Sequence, residues 1–294
     1  MEHFLQQVVS GIASGSLFAM LALAIVLIYR STDILNFAQG EVAMFTTFVC
    51  WSLMTRMDFW AAFVLAVLVA AALGAVLERF VLRPVEEAPV LNAVIVTLGL
   101  FTMFNSLALW IWGAQPKGFG PFSLFKGSPF CAGEICIGRL NVGILIVAII
   151  IMAALFLLFQ RTKLGLAMRA TAQNRVAARL MGIPLGRMLA IGWALSAAVG
   201  AVAGVFVAQT FGLTTNMMFT VLIFAFAAAV LGGLDSPVGA VVGGLTIGVV
   251  KNLAGAYVPA DVGNVDLTVA FALIVAVLMV RPTGIFGQKQ VRRV

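Results

Sequence analysis

A chain of 294 residues that is 63% hydrophobic and only 10% charged, with a mean hydropathy of +1.12, is not an ordinary soluble domain. Such domains carry roughly 25% charged residues. The net charge of +7 does not point to nucleic acid, because no stretch interleaves basic and aromatic residues as a single-strand binder does. The apolar runs are continuous rather than alternating, which excludes a β-barrel. The expected class is an all-α, polytopic helical membrane protein, with residues 1–294 as one transmembrane domain. Its expected content is about eight or nine transmembrane or re-entrant helices.

The first four residues, Met1-Glu2-His3-Phe4, lack a basic region, and no small-residue cleavage site follows. The first apolar run therefore reads as a retained helix rather than a signal peptide. It spans Val8 to Tyr29 and carries Gly11 and Gly15 at the spacing that lets helix backbones approach closely in lipid. After a break at Arg30-Ser31-Thr32-Asp33, a second helix is expected over Leu35 to Met54, with Asn36 as its N-cap. A third spans Phe59 to Leu82 and ends at Arg83-Pro84 and the turn Glu86-Glu87-Ala88-Pro89. The fourth spans Val90 to Trp112.

A Gly- and Pro-rich loop follows over 113–140, then a helix over Asn141 to Gln160. The basic segment 161–187 leads into a helix over Met188 to Thr210 with Gly200 and Gly204. Phe219 to Leu231, about 13 residues, is short for a complete span. Leu231-Gly232-Gly233-Leu234-Asp235-Ser236-Pro237 breaks the chain before a helix over Val238 to Tyr257, rich in glycine. The last helix spans Leu267 to Val280. Arg281-Pro282 stops it, and the tail ends in Arg292-Arg293. Each half holds a Gly-containing helix, a break with Asn or Gly-Gly, and a small-residue helix, the faint outline of pseudo-symmetric repeats.

Charge sets the orientation. With segment 161–187 and the C-terminal tail in the cytoplasm, thirteen of the 18 Lys and Arg residues fall inside. Only Arg56, Lys117, Lys126, Arg139 and Lys251 fall outside, the asymmetry that the positive-inside rule demands. Nine segments then put the N-terminus outside, together with the 113–140 loop. That loop contains Cys131 and Cys136, a candidate disulfide if it faces an oxidising compartment, although spacing alone does not fix the geometry. Cys50 sits in an apolar run and reads as packing. No other Cys and no His lies near the pair, so a metal site is not expected.

No catalytic constellation is visible. The single histidine, His3, is terminal, and neither a phosphate-binding G-x-x-x-x-G-K-[ST] nor H-E-x-x-H nor G-x-S-x-G occurs. The chain reads as a non-enzyme without bound cofactor. Polar residues at membrane depth are the candidates for a solute path: Asn36, Gln39 and Glu41 on one segment, Asn92, Thr97 and Asn105 on another. An intramembrane carboxylate is a functional candidate by default, but Glu41 also complements the dipole of the helix it begins. Asn and Thr groups equally join helices through hydrogen bonds. Asp235 reads as a turn residue and Lys251 as a snorkelling one.

Segment 161–187 holds six basic residues and no acidic one. Leu166 to Met181 is expected to form one Ala-rich helix with Ala170, Ala177, Leu180 and Met181 available for contact. Arg175 and Arg179 share a face at i and i+4, and Gly182 and Pro184 stop the helix. A helix built this way suits a groove on a partner.

Four stretches then carry a family resemblance. They are Leu27-Ile28-Tyr29-Arg30-Ser31-Thr32 running into Asn36-Phe37-Ala38-Gln39-Gly40-Glu41; Gly165-Leu166-Ala167-Met168-Arg169-Ala170 with Leu180-Met181-Gly182-Ile183; Val230 to Ala240; and Arg281 to Gly287. Together they make the chain resemble, over essentially its full length, permease subunits of branched-chain amino acid ABC importers. The resemblance implies a multi-pass protein of the bacterial inner membrane that is half of a permease pair, usually with a related but distinct permease. It also implies two cytoplasmic ATPase subunits that bind ATP-Mg, and a periplasmic binding protein that delivers substrate. The segment 165–183 would be the coupling loop. Asp235 departs from the small residue expected at its place in the pattern. Urea, a short amide or another amino acid stays open as cargo. A stand-alone secondary transporter and a non-transporting membrane anchor stay open as classes.

Overall fold

The computed structural model describes residues 2–32, 34–85, 88–118, 128–132, 135–257, 265–281 and 283–287. Asp33, Glu86, Glu87, Lys126, Pro282 and the tail with Arg292-Arg293 lie outside the described residues. Eleven α-helices and one two-stranded hairpin make up the described chain.

Helix α1 (Glu2–Thr32) exceeds its expected range at both ends and is buried along most of its apolar length. Helix α2 (Gln39–Met54) starts later than expected. The reason is Asn36, whose Oδ1 accepts the Ala38 N–H at 3.0 Å. That local bond holds the chain in a turn instead of capping a helix. The N-cap is Ala38, not Asn36.

Helix α3 (Phe59–Leu77) passes into a π-helical turn, Glu78–Leu82, and a 3-10 turn, Arg83–Val85. Pro84 has no N–H and crowds the carbonyl four residues back. The widened turn brings the Arg83 guanidinium to the Glu78 carboxylate at 3.2 Å. Helix α4 (Val90–Trp112) begins after Pro89 and ends at Gly113, where φ is +77°.

The 113–140 loop contains a hairpin of β1 (Phe130–Ala132) and β2 (Ile135–Ile137), with Cys131 opposite Cys136. Helix α5 (Arg139–Arg161) follows. The single helix expected over Leu166 to Met181 is two, α6 (Lys163–Gln173) and α7 (Arg175–Leu180). Asn174 divides them: its Oδ1 accepts the Ala177 N–H at 2.9 Å and makes it the N-cap of α7. Helices α8 (Leu185–Phe211), α9 (Met217–Gly232), α10 (Pro237–Tyr257) and α11 (Val265–Val280) complete the chain.

Six helical stretches are long and apolar enough to cross a membrane, and Met217–Gly232 and Phe271–Val280 are shorter apolar helices. With the 16-residue α2 they account for the expected complement of transmembrane and re-entrant segments.

Two compact units interleave in sequence: residues 1–26, 124–149 and 221–294 form one, and 27–123 with 150–220 form the other. In the first unit, α1 and α10 meet through glycines. A Cβ on Gly248 would strike the backbone of Gly15 and Gly11, and one on Gly244 the backbone of Ala19. Here the break between α9 and α10 meets the segment after α11: the Ile285 N–H donates to Leu231 O at 2.9 Å and the Phe286 N–H to Gly232 O at 3.0 Å. Two stretches of the resemblance, about 50 residues apart, are therefore hydrogen-bonded neighbours. Gly233 (φ +103°) and Gly284 (φ +82°) supply the left-handed backbone this junction requires. In the second unit, α2, α3 and α8 pack around Ala70, Leu77, Trp193, Ala197 and Ala201, with Leu100 and Phe104 of α4 against them.

Candidate functional site

Three places in the described chain have the chemistry of function: a buried polar cluster at the start of α2, an exposed surface on α6 and α7, and the outer hairpin.

The polar cluster is built on the turn that delays α2. Asn36, Gln39 and Glu41 are each 1% exposed. Asn36 Nδ2 donates to Gln39 Oε1 at 3.3 Å, and Gln39 Nε2 donates to the Ser196 carbonyl of α8 at 3.0 Å. The Ser196 hydroxyl donates back to Gln39 Oε1 at 3.0 Å. Gly200, one turn along α8, leaves room for the Gln39 amide; a Cβ there would sit 2.6 Å from Nε2. Glu41 Oε2 accepts from Asn105 Nδ2 of α4 at 3.2 Å, and the same amide reaches the Thr215 carbonyl at 3.1 Å. Thr97 is fully buried and donates to Val94 O in its own helix at 2.9 Å. Asn92, expected on the same path, is exposed and stands apart from the cluster.

Five of the six candidate path residues thus surround the start of α2, with Gln39 bonded to α8 and Glu41 to α4, and their polar groups find partners there. Each polar atom that found no partner there would cost about 1–3 kcal/mol. Ser196 was not singled out by sequence, because one hydroxyl in a small-residue helix has no distinguishing pattern. Among the described residues, no group of three or more His, Cys, Asp or Glu side chains is placed to hold a metal ion.

The second place is the segment between α5 and α8. Thr162 caps α6 by accepting the Gly165 N–H at 3.0 Å. Gly165 lies so close to Leu158 and Phe159 that a Cβ there would strike backbone. Met168 is buried against this base and Arg169 Nη1 donates to Gln160 Oε1 at 3.2 Å. Arg169, Ala170 and Arg175 are half-buried. Arg175 Nη2 donates to the Ser31 carbonyl at the end of α1, 3.1 Å away, a cation at the negative end of a helix dipole. The outer surface is left to Leu166, Val176, Ala177, Arg179, Leu180, Met181 and Gly182. Leu180 is 83% and Met181 82% exposed, and Gly182 turns the chain back at φ +77°.

The third place is the hairpin. Gln6 Nε2 donates to the Cys136 carbonyl at 2.8 Å, and Gln6 Oε1 accepts the Cys136 N–H at 2.9 Å. The Gln6 amide thus pairs with Cys136 as a neighbouring strand would. Since the Cys136 backbone bonds outward, Cys131 and Cys136 form a non-hydrogen-bonded pair, the closer of the two antiparallel spacings. The Cys131 side chain lies outside the described residues.

Comparison with known proteins gives the family. Residues 7–280 match the family described as branched-chain amino acid transport system / permease component. The chain is 33% identical to the high-affinity branched-chain amino acid transport system permease protein LivH of Escherichia coli (strain K12), covering 99% of this chain and 98% of LivH. It is 32% identical to BraD of Pseudomonas aeruginosa, a protein of the same description, at the same coverage. Among solved structures, a chain of PsaBC from Streptococcus pneumoniae in complex with Fab superposes with a TM-score of 0.50 at 13% identity, covering 96% of this chain and 93% of that one. That similarity shows a common fold. With near-complete coverage by sequence and a multi-pass helical architecture, the chain belongs to the family of branched-chain amino acid ABC transporter permeases.

Proposed function

We propose that this protein is one transmembrane half of an ATP-driven importer for branched-chain, hydrophobic amino acids in a bacterial inner membrane. Family membership over residues 7–280 is the observation that carries the reading. The remaining subunits would be a second, related permease, two cytoplasmic ATPases that bind ATP-Mg, and a periplasmic binding protein that selects the substrate. The permease would alternate its access between the two sides as the ATPases close and open. ATP shifts that equilibrium only if the ATPases bind the two conformations with different affinity.

Segment 161–187 serves as the coupling loop in this reading, with the exposed α7 tip as the docking element and the 113–140 loop and the C-terminus on opposite sides of the membrane. The excess of basic residues on one side supports that orientation. Asn36, Gln39, Glu41, Thr97 and Asn105 are assigned to the walls of the solute path, beside the non-helical turn that the Asn36–Ala38 bond makes at the start of α2. Discontinuous helices of this kind are common at transporter substrate sites.

The test is co-purification with the subunits encoded beside it, followed by ATPase activity in liposomes with the binding protein. Leucine, isoleucine, valine, alanine and urea are compared. Stimulation by the branched-chain set alone is expected. Stimulation by urea or alanine instead would move the protein to another cargo, and uptake without any co-purifying ATPase would make it a secondary transporter.

A Cys131–Cys136 disulfide is proposed on the outer hairpin, because the register sets these residues opposite each other. Thiol labelling of unreduced protein should then modify Cys50 alone, and only after unfolding, since Cys50 is buried. Labelling of Cys131 or Cys136 before reduction would refute it.

A further inference from the structure

A small cavity of about 20 Å³ opens at the base of α6. Its walls include Arg30 and Ser31 from the end of α1, Phe159 of α5, and Met168, Arg169 and Ala172 of α6. The same packing draws these elements together under α8: a Cβ on Gly192 would lie 3.3 Å from Ser31 Oγ and 3.5 Å from Met168 Cε. Arg169 Nη1 is bonded to Gln160 of α5. Its Nε is buried and bonds no group among the described residues. A buried cationic N–H without an acceptor has lost its hydration and gained nothing, so Nε marks a place where an acceptor is required. The Ser31 hydroxyl donates its one hydrogen back into α1, to the Ile28 carbonyl at 2.9 Å with the Leu27 carbonyl at 3.2 Å. What it has left to offer is a lone pair.

Those two groups select the ligand. It must accept from Arg169 Nε and donate to Ser31 Oγ. Water does both, whereas a halide or a carboxylate only accepts. The size agrees: a cavity needs about 10–15 Å³ to hold one water, and this one offers about 20 Å³. We propose that the cavity holds one ordered water molecule that bridges Arg169 Nε of α6 to Ser31 Oγ of α1. Such a bridge is enthalpically nearly as good as a direct hydrogen bond. Arg169 is then a positioning residue. It holds α6 on α5 through Gln160 and on α1 through the water, and its guanidinium is turned to the body of the chain rather than to a partner. The water site stands by itself; that it sets the position of the docking element rests on the reading of segment 161–187 as the coupling loop.

Ala172 lines the cavity and gives a matched pair of variants. Threonine and valine have the same shape and nearly equal helix propensity, so Ala172→Thr and Ala172→Val crowd the site alike and differ in one group. Both displace the water. The threonine hydroxyl can take over as acceptor for Arg169 Nε, and the valine methyl cannot. In thermal unfolding of the full-length chain in detergent, Ala172→Val should therefore melt a few degrees below Ala172→Thr, the shift expected of one orphaned donor. A dry cavity predicts the reverse order, because it would favour a methyl over a hydroxyl. Equal melting temperatures, or a more stable valine variant, overturn the proposal. High-resolution electron cryo-microscopy of the wild type should show a solvent peak about 2.7–3.2 Å from Arg169 Nε; a protein atom in that place removes the site. A wild-type melting temperature that rises in chloride over equimolar gluconate would identify an anion and overturn the assignment to water. These readouts need neither ATP nor substrate, so their outcome is separate from that of the importer reading.

Discussion

Replacing both Leu180 and Met181 with aspartate is expected to remove the ATPase subunits from the purified complex and reduce ATP-driven uptake to background. The two side chains form the tip of α7 and are almost wholly exposed in the chain alone. Helix α7 has six residues, too few to be stable by itself. It is held at one end by the Asn174 cap and turned back at the other by Gly182. A short capped helix with an apolar tip is costly to leave in water unless a partner covers it. Burying a Leu or Met side chain contributes about 1.5–3 kcal/mol, so losing two, with two carboxylates to desolvate, weakens docking by a factor of about 100 or more. Neither residue supports the interior, so the melting temperature of the variant should stay close to that of the wild type, as for most exposed substitutions. The readout is the ratio of ATPase to permease after affinity purification. A wild-type ratio would mean that α7 is not the docking element.

Gly248→Val is expected to have the largest effect on folding. At this position α10 lies directly on α1, and the added Cβ would overlap the backbone of Gly15 and Gly11. Backbone cannot rotate away as a side chain does. The helices must separate, and the close van der Waals contact that holds small-residue helix pairs together in lipid is lost. Overpacking of this kind costs about 1–3 kcal/mol when side chains can shift, and the absence of any yielding atom puts this variant at or above the upper figure. A matched control is Gly99→Ala in α4, where nothing lies within 4 Å of the new Cβ; helix propensity predicts a neutral or slightly stabilised protein, by up to about 1 kcal/mol. Thermal unfolding in detergent distinguishes the two. Equal melting temperatures would show that α1 and α10 do not pack through their glycines.

Some features were legible because one residue type decides them locally. Pro89 and Gly113 bracket α4 where expected, since proline cannot continue a helix backwards and Gly113 takes a positive φ. The turn at Leu234-Asp235 and the stop at Gly182 follow from the same chemistry. Asparagine misled twice for one reason. Asn36 looks like an N-cap and instead bonds the Ala38 N–H in a turn, while Asn174 looks like a helix-interior residue and instead caps α7. A side chain that competes with the backbone for hydrogen bonds serves equally as cap, breaker or turn, and only the path of the surrounding chain selects among them.

The long apolar runs determine by themselves that this is a multi-pass helical membrane protein, and the six basic residues of segment 161–187 single it out as the candidate for docking a partner. Both depend on composition summed over many residues, which solvent partitioning reads without regard to tertiary contacts. The pairing of Gln39 with Ser196, of Glu41 with Asn105 and of the Gln6 amide with Cys136 was decided by packing. Each joins residues from about 60 to more than 150 positions apart in one chain. A hydrogen bond a few ångströms long is settled by which helix faces meet, and nothing in the local sequence of either partner specifies the other.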